Sequence, residues 1–320
     1  MMMFVFTALC AVLVTAQGDP YAGWPSYAGL PLNASFPPKA AWGVWGNDDV
    51  HGALNHITNA TRKKSAEEIQ TGQTFNLNLE LPFFPQPPNI QRKPLVHLFQ
   101  PVDGYTDDVI TFNTQMSTQI DGTYRYYNDL IPDYEQVIGH DYTSVLGIQQ
   151  AADKGIVARG VLLDYKAWMD SQNKTYDALS GWSVPVSDLD KVAEWQGLPR
   201  NWSRPGDILV VRFGWIEAFG KLNETEKAII WLWNKKLAMV GGDNPAFEST
   251  PLRHVIGGHD DMSLHQILLS GWGQNIVEYL DLEKLAPSLR ALDRSTFFMT
   301  IQPVNKIGGI ASPPNAMAII

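Results

Sequence analysis

Apolar and polar residues alternate from Gln73 to Leu81, and the same two-residue period returns from Val109 to Asp121, so both segments predict strands. Gly160-Val161-Leu162-Leu163-Asp164 and Gly206 to Arg212 are short apolar runs that predict buried strands, and Phe297 to Pro303 predicts a late one. Helical spacing runs from Ala60 to Ile69, with Thr58 as the cap and Gly72 as the stop. It recurs over Tyr142 to Lys154, ended by Gly155, and over Ser187 to Trp195, with Ser187 as the cap. Thr225 to Met239 and Ser263 to Leu269, stopped by Gly271, complete the helices. Gly18 to Ala40 and Pro82 to Pro94 are rich in proline or glycine and predict irregular chain. Helices and strands alternate loosely without a repeat. The pattern predicts a single mixed α/β domain over residues 41–320, preceded by an extended arm over residues 17–40.

The first residues change this picture. Phe4 to Val14 is an uncharged apolar run, and Val14-Thr15-Ala16 supplies the small residues that a signal peptidase reads. Residues 1–16 are expected to be a signal peptide cleaved near Ala16, and the mature protein to be secreted. The run is too short to span a bilayer, and no later stretch is longer, so no membrane association is expected. Asn-x-Ser/Thr sequons begin at Asn33, Asn59, Asn173, Asn201 and Asn223, which fits a secreted glycoprotein. Cys10, inside the expected signal, is the single cysteine, which excludes a cysteine nucleophile or a thiolate metal site in the mature chain. Net charge is −9 and the pI about 5.2, with no basic cluster. Nucleic acid is thereby excluded as a partner, and a small molecule is the expected one.

Candidate chemistry gathers in two places. On an extended strand Gln115, Gln119 and Asp121 would share one face, which is either a solvent face on a half-exposed sheet or a polar site. The second place is His254 to Asp261 followed by His265, which opens the apolar segment Gln266-Ile267-Leu268-Leu269. A histidine there is either a hydrogen-bonded core residue or a metal ligand. Glu278 interrupts the apolar run Ile276 to Leu280, and a buried glutamate needs a partner, a metal or a raised pKa. His265 and Glu278 are the best candidate pair. No Gly-x-Ser-x-Gly elbow, His-Glu-x-x-His helix or phosphate-binding glycine loop occurs.

These residues resemble the cyclase family that includes bacterial-type kynurenine formamidase and isatin hydrolase. The likeness runs from Trp42 to Ile320. It is carried by Trp42 to Asp49 with Gly52-Ala53-Leu54-Asn55, by Phe112 to Gly122, by Gly206 to Trp215, by His265 to Glu278 and by Ser312-Pro313-Pro314-Asn315-Ala316. The resemblance implies a mixed-sheet, swivelling β/β/α-like fold. It also implies a metal motif, His-x-x-x-His-x-Asp, with a catalytic histidine four residues beyond the aspartate. Here Gln115 and Gln119 stand at the histidine ligand positions, Asp121 matches, and His265 and Glu278 match the downstream ligands. The catalytic position holds Arg125, or Tyr126 if one residue is inserted.

Imidazole binds zinc well, whereas an amide oxygen is a weak neutral ligand, so the replacements lower zinc affinity and favour a harder ion. The resemblance therefore implies Zn²⁺ or Mn²⁺, with an ion-free pocket as the alternative. Arg125 stays charged and could clamp a carboxylate or an oxyanion, leaving His259, His265 or a carboxylate to move protons. The expected activity is hydrolysis of an amide or lactone of a small, aromatic or secondary-metabolite substrate, arylformamidase-like. The competing expectations are a metal-independent cyclase, dehydratase or isomerase, and a binding protein without catalysis. The resemblance also allows a homodimer.

Overall fold

The computed structural model describes residues 20–84, 92–102, 105–122, 147–176, 183–215, 221–222, 225–248, 254–256 and 259–320. A nine-stranded mixed sheet organises them. Its strands are β1 (Thr74–Asn76), β4 (Gln119–Asp121), β5 (Ile156–Asp164), β7 (Ile208–Arg212), β9 (Met239–Gly242), β12 (Asn275–Glu278), β13 (Thr296–Ile301), β14 (Ala311–Ser312) and β15 (Met317–Ile319). The order across the sheet is β1-β15-β13-β5-β7-β9-β12-β4-β14. Strands β5, β7, β9 and β12 are mutually parallel, and the flanking pairings are antiparallel. Two-stranded pairs are formed by β2 (Val96–Val102) with β3 (Tyr105–Thr111), β6 (Ser183–Val184) with β8 (Lys221–Leu222), and β10 (His254–Ile256) with β11 (His259–Met262).

The central parallel strands are buried on both faces, which is why their middle residues, 160–163, 208–211, 239–242 and 276–277, carry no charge or polar side chain. Strand alternation then divides the core in two. Val161, Leu163, Leu209, Val211, Val240 and Ile276 face one layer. That layer also takes residues of α3 (Tyr165–Ser171), α4 (Val186–Trp195) and α5 (Thr225–Lys235). Leu162, Ile208, Val210, Met239 and Val277 face the other, packed with α6 (Leu285–Ala291) and with Phe297 and Met299 of β13.

Several expected boundaries change. The strand over 109–121 is two strands, because Thr114 to Ser117 turn: residues 109–111 end β3 and pair with β2, and Gln119–Asp121 form β4 and pair with β12. The strand over 73–81 shortens to β1, and a 3₁₀ turn follows at Leu81–Phe83. The helix expected to reach Met239 ends at Lys235, since the buried run Met239–Gly242 enters the sheet instead. Helix α4 starts at Val186 after Pro185, one residue ahead of the assigned cap. Helix α2 (Gln149–Lys154) is the described part of the expected 142–154 helix; residues 142–146 lie outside the described residues. Helix α1 (Asn59–Ser65) is capped by Thr58 as expected, in a reciprocal box with Thr61. The arm is irregular but anchored: Trp24 stacks on Trp233, whose indole donates to the Pro25 carbonyl, and Tyr27 and Leu30 are buried.

Candidate active site

Three elements bring the polar residues together. In the β12–β4 pairing Glu278 lies directly opposite Gln119, and Asp121 two residues on shares the face of Gln119. Glu278 ends β12, at the carboxyl edge of the parallel strands, where α/β sheets place their sites. His265 arrives from the third element, the first turn of a helix that becomes a π-helix over Gln266–Gly271. An α-helix was expected there, and π segments concentrate at functional sites. Ser263 and Gln266 fix this start reciprocally, Gln266 accepting from the Ser263 amide at 2.7 Å and Ser263 from the Gln266 amide at 3.1 Å.

Asp121, His265 and Glu278 each offer a ligand atom, and these atoms lie within 4.8 Å of one another; all three residues are buried. The imidazole is held between two carboxylates, with Nδ1 at 2.5 Å from Glu248 Oε1 and Nε2 at 3.0 Å from Glu278 Oε1. Glu248 also accepts from the backbone amides of Leu264 and His265, and Glu278 from that of Phe247 at 3.1 Å. Burial alone would lower the His265 pKa. The hydrogen bonds and charges of Glu248 and Glu278 outweigh it and hold the imidazole well above its ordinary value.

Both glutamines join the cluster. Gln115 Nε2 donates to Asp121 Oδ1 at 2.5 Å, and Gln119 Nε2 donates to Glu278 Oε2 at 2.7 Å. Gln115 reaches Asp121 from the turn before β4, not from the strand face assigned to it. Behind the amides lies Arg92. Its guanidinium donates to Gln115 Oε1 and to Gln119 Oε1, both at 3.3 Å, and to the Gln115 carbonyl. Gln119, Asp121, His265 and Glu278 are buried, while Gln115 and Arg92 are half-buried and form the solvent side of the cluster. Ser117, in the same turn, is structural: its hydroxyl donates to the Glu80 carbonyl at 3.0 Å.

An aromatic wall adjoins Glu278. Tyr279 meets Trp215 edge-on at 4.9 Å between ring centroids, and Phe84 packs on Tyr279 at 5.3 Å. Tyr279 has φ of 59°, a strained backbone for a bulky residue. It is tied down on both sides, its amide donating to the Asn244 carbonyl and its carbonyl accepting from the Thr118 hydroxyl at 2.6 Å. A separate cavity of about 580 Å³ is lined by Trp42, Trp45, Asp48, Asp49 and Leu269 to Gly273, and by none of the cluster residues.

The residue expectations divide accordingly. Gln115, Gln119, Asp121, His265 and Glu278 converge. Arg125 and Tyr126 lie outside the described residues, and of His259 only the backbone, in β11, is described. Sequence reasoning missed Arg92 and Glu248. Arg92 lies within the Pro82 to Pro94 stretch that reads as plain loop, with no periodicity to mark it. Glu248 carried a faint signal, an acidic residue directly after the apolar Phe247.

A family ion fits half of this arrangement. Asp121, His265 and Glu278 are suitable donors, and Glu248 behind the imidazole is the carboxylate that usually orients a ligating histidine. At the two motif positions the cluster instead receives N–H groups from Gln115 and Gln119, and N–H does not ligate a cation. The donor set does not complete the family's metal sphere.

A mixed sheet with a buried carboxylate–imidazole cluster at its carboxyl edge defines an enzyme-like α/β protein. Residues 52–249, more than half of the chain, match the family model described as "Putative cyclase", and the chain belongs to that family. A crystal structure described as a novel cyclase is 26% identical, with a TM-score of 0.70, over 88% of this chain and 99% of the other. Isatin hydrolase A from Labrenzia aggregata is 15% identical with a TM-score of 0.54, over 78% of this chain and 93% of its own. The Ralstonia solanacearum isatin hydrolase A is 15% identical with a TM-score of 0.55, over 77% and 91%. Both share the fold. No curated protein matches the sequence.

Proposed function

We propose that this protein is a hydrolase-type enzyme that cleaves the acyl C–N bond of an amide or the acyl C–O bond of a lactone in a small aromatic substrate. The observation that supports it is the convergence of Asp121, His265 and Glu278, with Glu248 fixing the imidazole. In this reading an ionised carboxylate takes a proton from the attacking water, and the imidazolium gives one to the leaving nitrogen or oxygen. The wall of Trp215, Tyr279 and Phe84 would hold a flat ring beside Glu278. An isatin hydrolase of the same fold has been crystallised with the product analogue thioisatinate. The test is turnover of aryl formamides, fused lactams and aryl lactones by the native protein and by Glu278→Gln and His265→Asn. Each substitution is expected to lower kcat/KM by roughly 10²–10⁴-fold with folding retained. Full activity in both variants, or no turnover by the native protein, would sink the proposal.

The Arg92–glutamine arrangement favours a second reading, a metal-independent cyclase, dehydratase or isomerase. Reaction in water labelled with heavy oxygen separates the two. A hydrolase incorporates the label into its acid product; an isomerase or cyclase does not.

A further inference from the structure

The two glutamine amides can be oriented in one way only. A guanidinium is donor only, and an ionised carboxylate is acceptor only. Gln115 and Gln119 each sit between one of each, with Arg92 on the outer side and Asp121 or Glu278 on the inner side. Each amide therefore turns its oxygen out to Arg92 and its N–H in to the carboxylate. Turning an oxygen inwards, as a cation would require, sets an NH₂ group against the guanidinium and breaks charge-assisted bonds on both sides. Arg92 adds a third restraint by donating to the Gln115 carbonyl, which fixes the turn that carries the first amide. Its positive charge, relayed through two polarised amides, lies where it also opposes a second cation.

We infer that Arg92, acting through Gln115 and Gln119, takes the electrostatic place of the family's divalent ion, so that this site operates without one. Arg92 is thus a positioning residue: it orients two amides, which hold the two carboxylates. That this site is catalytic rests on the hydrolase reading. Exclusion of the ion stands on the hydrogen-bond pattern alone.

The test is calorimetric titration of Zn²⁺ and Mn²⁺ into the native protein and into the triple variant Arg92→Met, Gln115→His, Gln119→His, at one fixed pH. The native protein should show no saturable binding. The triple variant, with two imidazoles restored and the guanidinium removed, should bind zinc at least about 100-fold more tightly. Saturable zinc binding by the native protein would overturn the inference, and so would a folded triple variant that binds no better than native. If the triple variant does not fold, thermal unfolding of the native protein decides. Its Tm should be unmoved by a chelator and by added zinc, because an ion that binds the folded state raises Tm by mass action. A chelator-induced fall in Tm would refute ion independence. Turnover measured with chelator present keeps the two proposals apart. Absence of any turnover removes the hydrolase reading and leaves the titration result in force. Activity that is lost to the chelator and restored by an ion overturns the present inference instead.

Discussion

Asp243 is a fully buried carboxylate placed directly after β9, and it accepts the backbone amides of Phe213 at 2.7 Å and Trp215 at 2.8 Å. It thereby sets the chain that carries one ring of the aromatic wall. Burial raises its pKa to about 7; the two amides and Arg212 pull the other way without cancelling that effect. The sign of the consequence follows from proton linkage. Between the ordinary aspartate range and about pH 7 the folded state holds a proton that the unfolded state has lost. Asp243 therefore disfavours folding progressively as pH rises through that window, by up to a few kcal/mol. Asp243→Asn, which cannot ionise, should show a stability difference from native that moves in the variant's favour between pH 4 and 7, roughly. Urea unfolding across that range measures it, and parallel pH curves for the two proteins would refute the assignment.

The segment Gly52-Ala53-Leu54-Asn55 shows why an element can be legible as motif and opaque as mechanism. Gly52 has φ of 51°, and a Cβ there would lie 2.4 Å from both Gly273 Cα and the Trp272 carbonyl oxygen. Two glycines thus let the 3₁₀ turn Gly52–His56 dock on the end of the π-helix whose first turn presents His265. Nothing in a single sequence pairs two glycines more than two hundred positions apart. Gly52→Ala should cost about 1–3 kcal/mol, through backbone strain and the closed approach together, read as a lower urea midpoint at unchanged slope. A shift well under 1 kcal/mol would mean that the two segments can separate freely. The elements that were legible are those whose signal is local. Thr58 with Thr61 caps α1, and the apolar runs of β5 and β7 fall where the pattern placed them. The short strands β4 and β12 were not legible as such: three and four residues are too few to show a period, and their pairing fixes the site.

At the scale of the whole molecule, the sequence pattern yields the α/β class and the motif resemblance yields the family, but neither shows which cation balances the carboxylates of the site. The cluster was readable because Asp121, His265 and Glu278 keep the residue types of the motif the sequence resembles. The balancing cation was not, because Arg92 enters from irregular chain that obeys no period. One expectation concerns the whole chain's processing. We propose that the protein is exported and N-glycosylated, on the apolar run Phe4 to Val14 that ends in Val14-Thr15-Ala16 and on the five sequons. A glycan is bulky and hydrated, so an acceptor must point to solvent in the folded protein. Asn33, Asn59, Asn173 and Asn201 are all exposed, and Asn223 lies outside the described residues. None of the four described acceptors belongs to the cluster around His265, so Asn→Gln replacements there should remove glycan mass and leave turnover unchanged. Glycosidase treatment of material secreted by a eukaryotic host should lower its mass in steps, and N-terminal sequencing should begin near Gln17. An intact Met1, or a mass unaltered by the glycosidase, would place the protein outside the secretory route and leave the apolar N-terminus without that explanation.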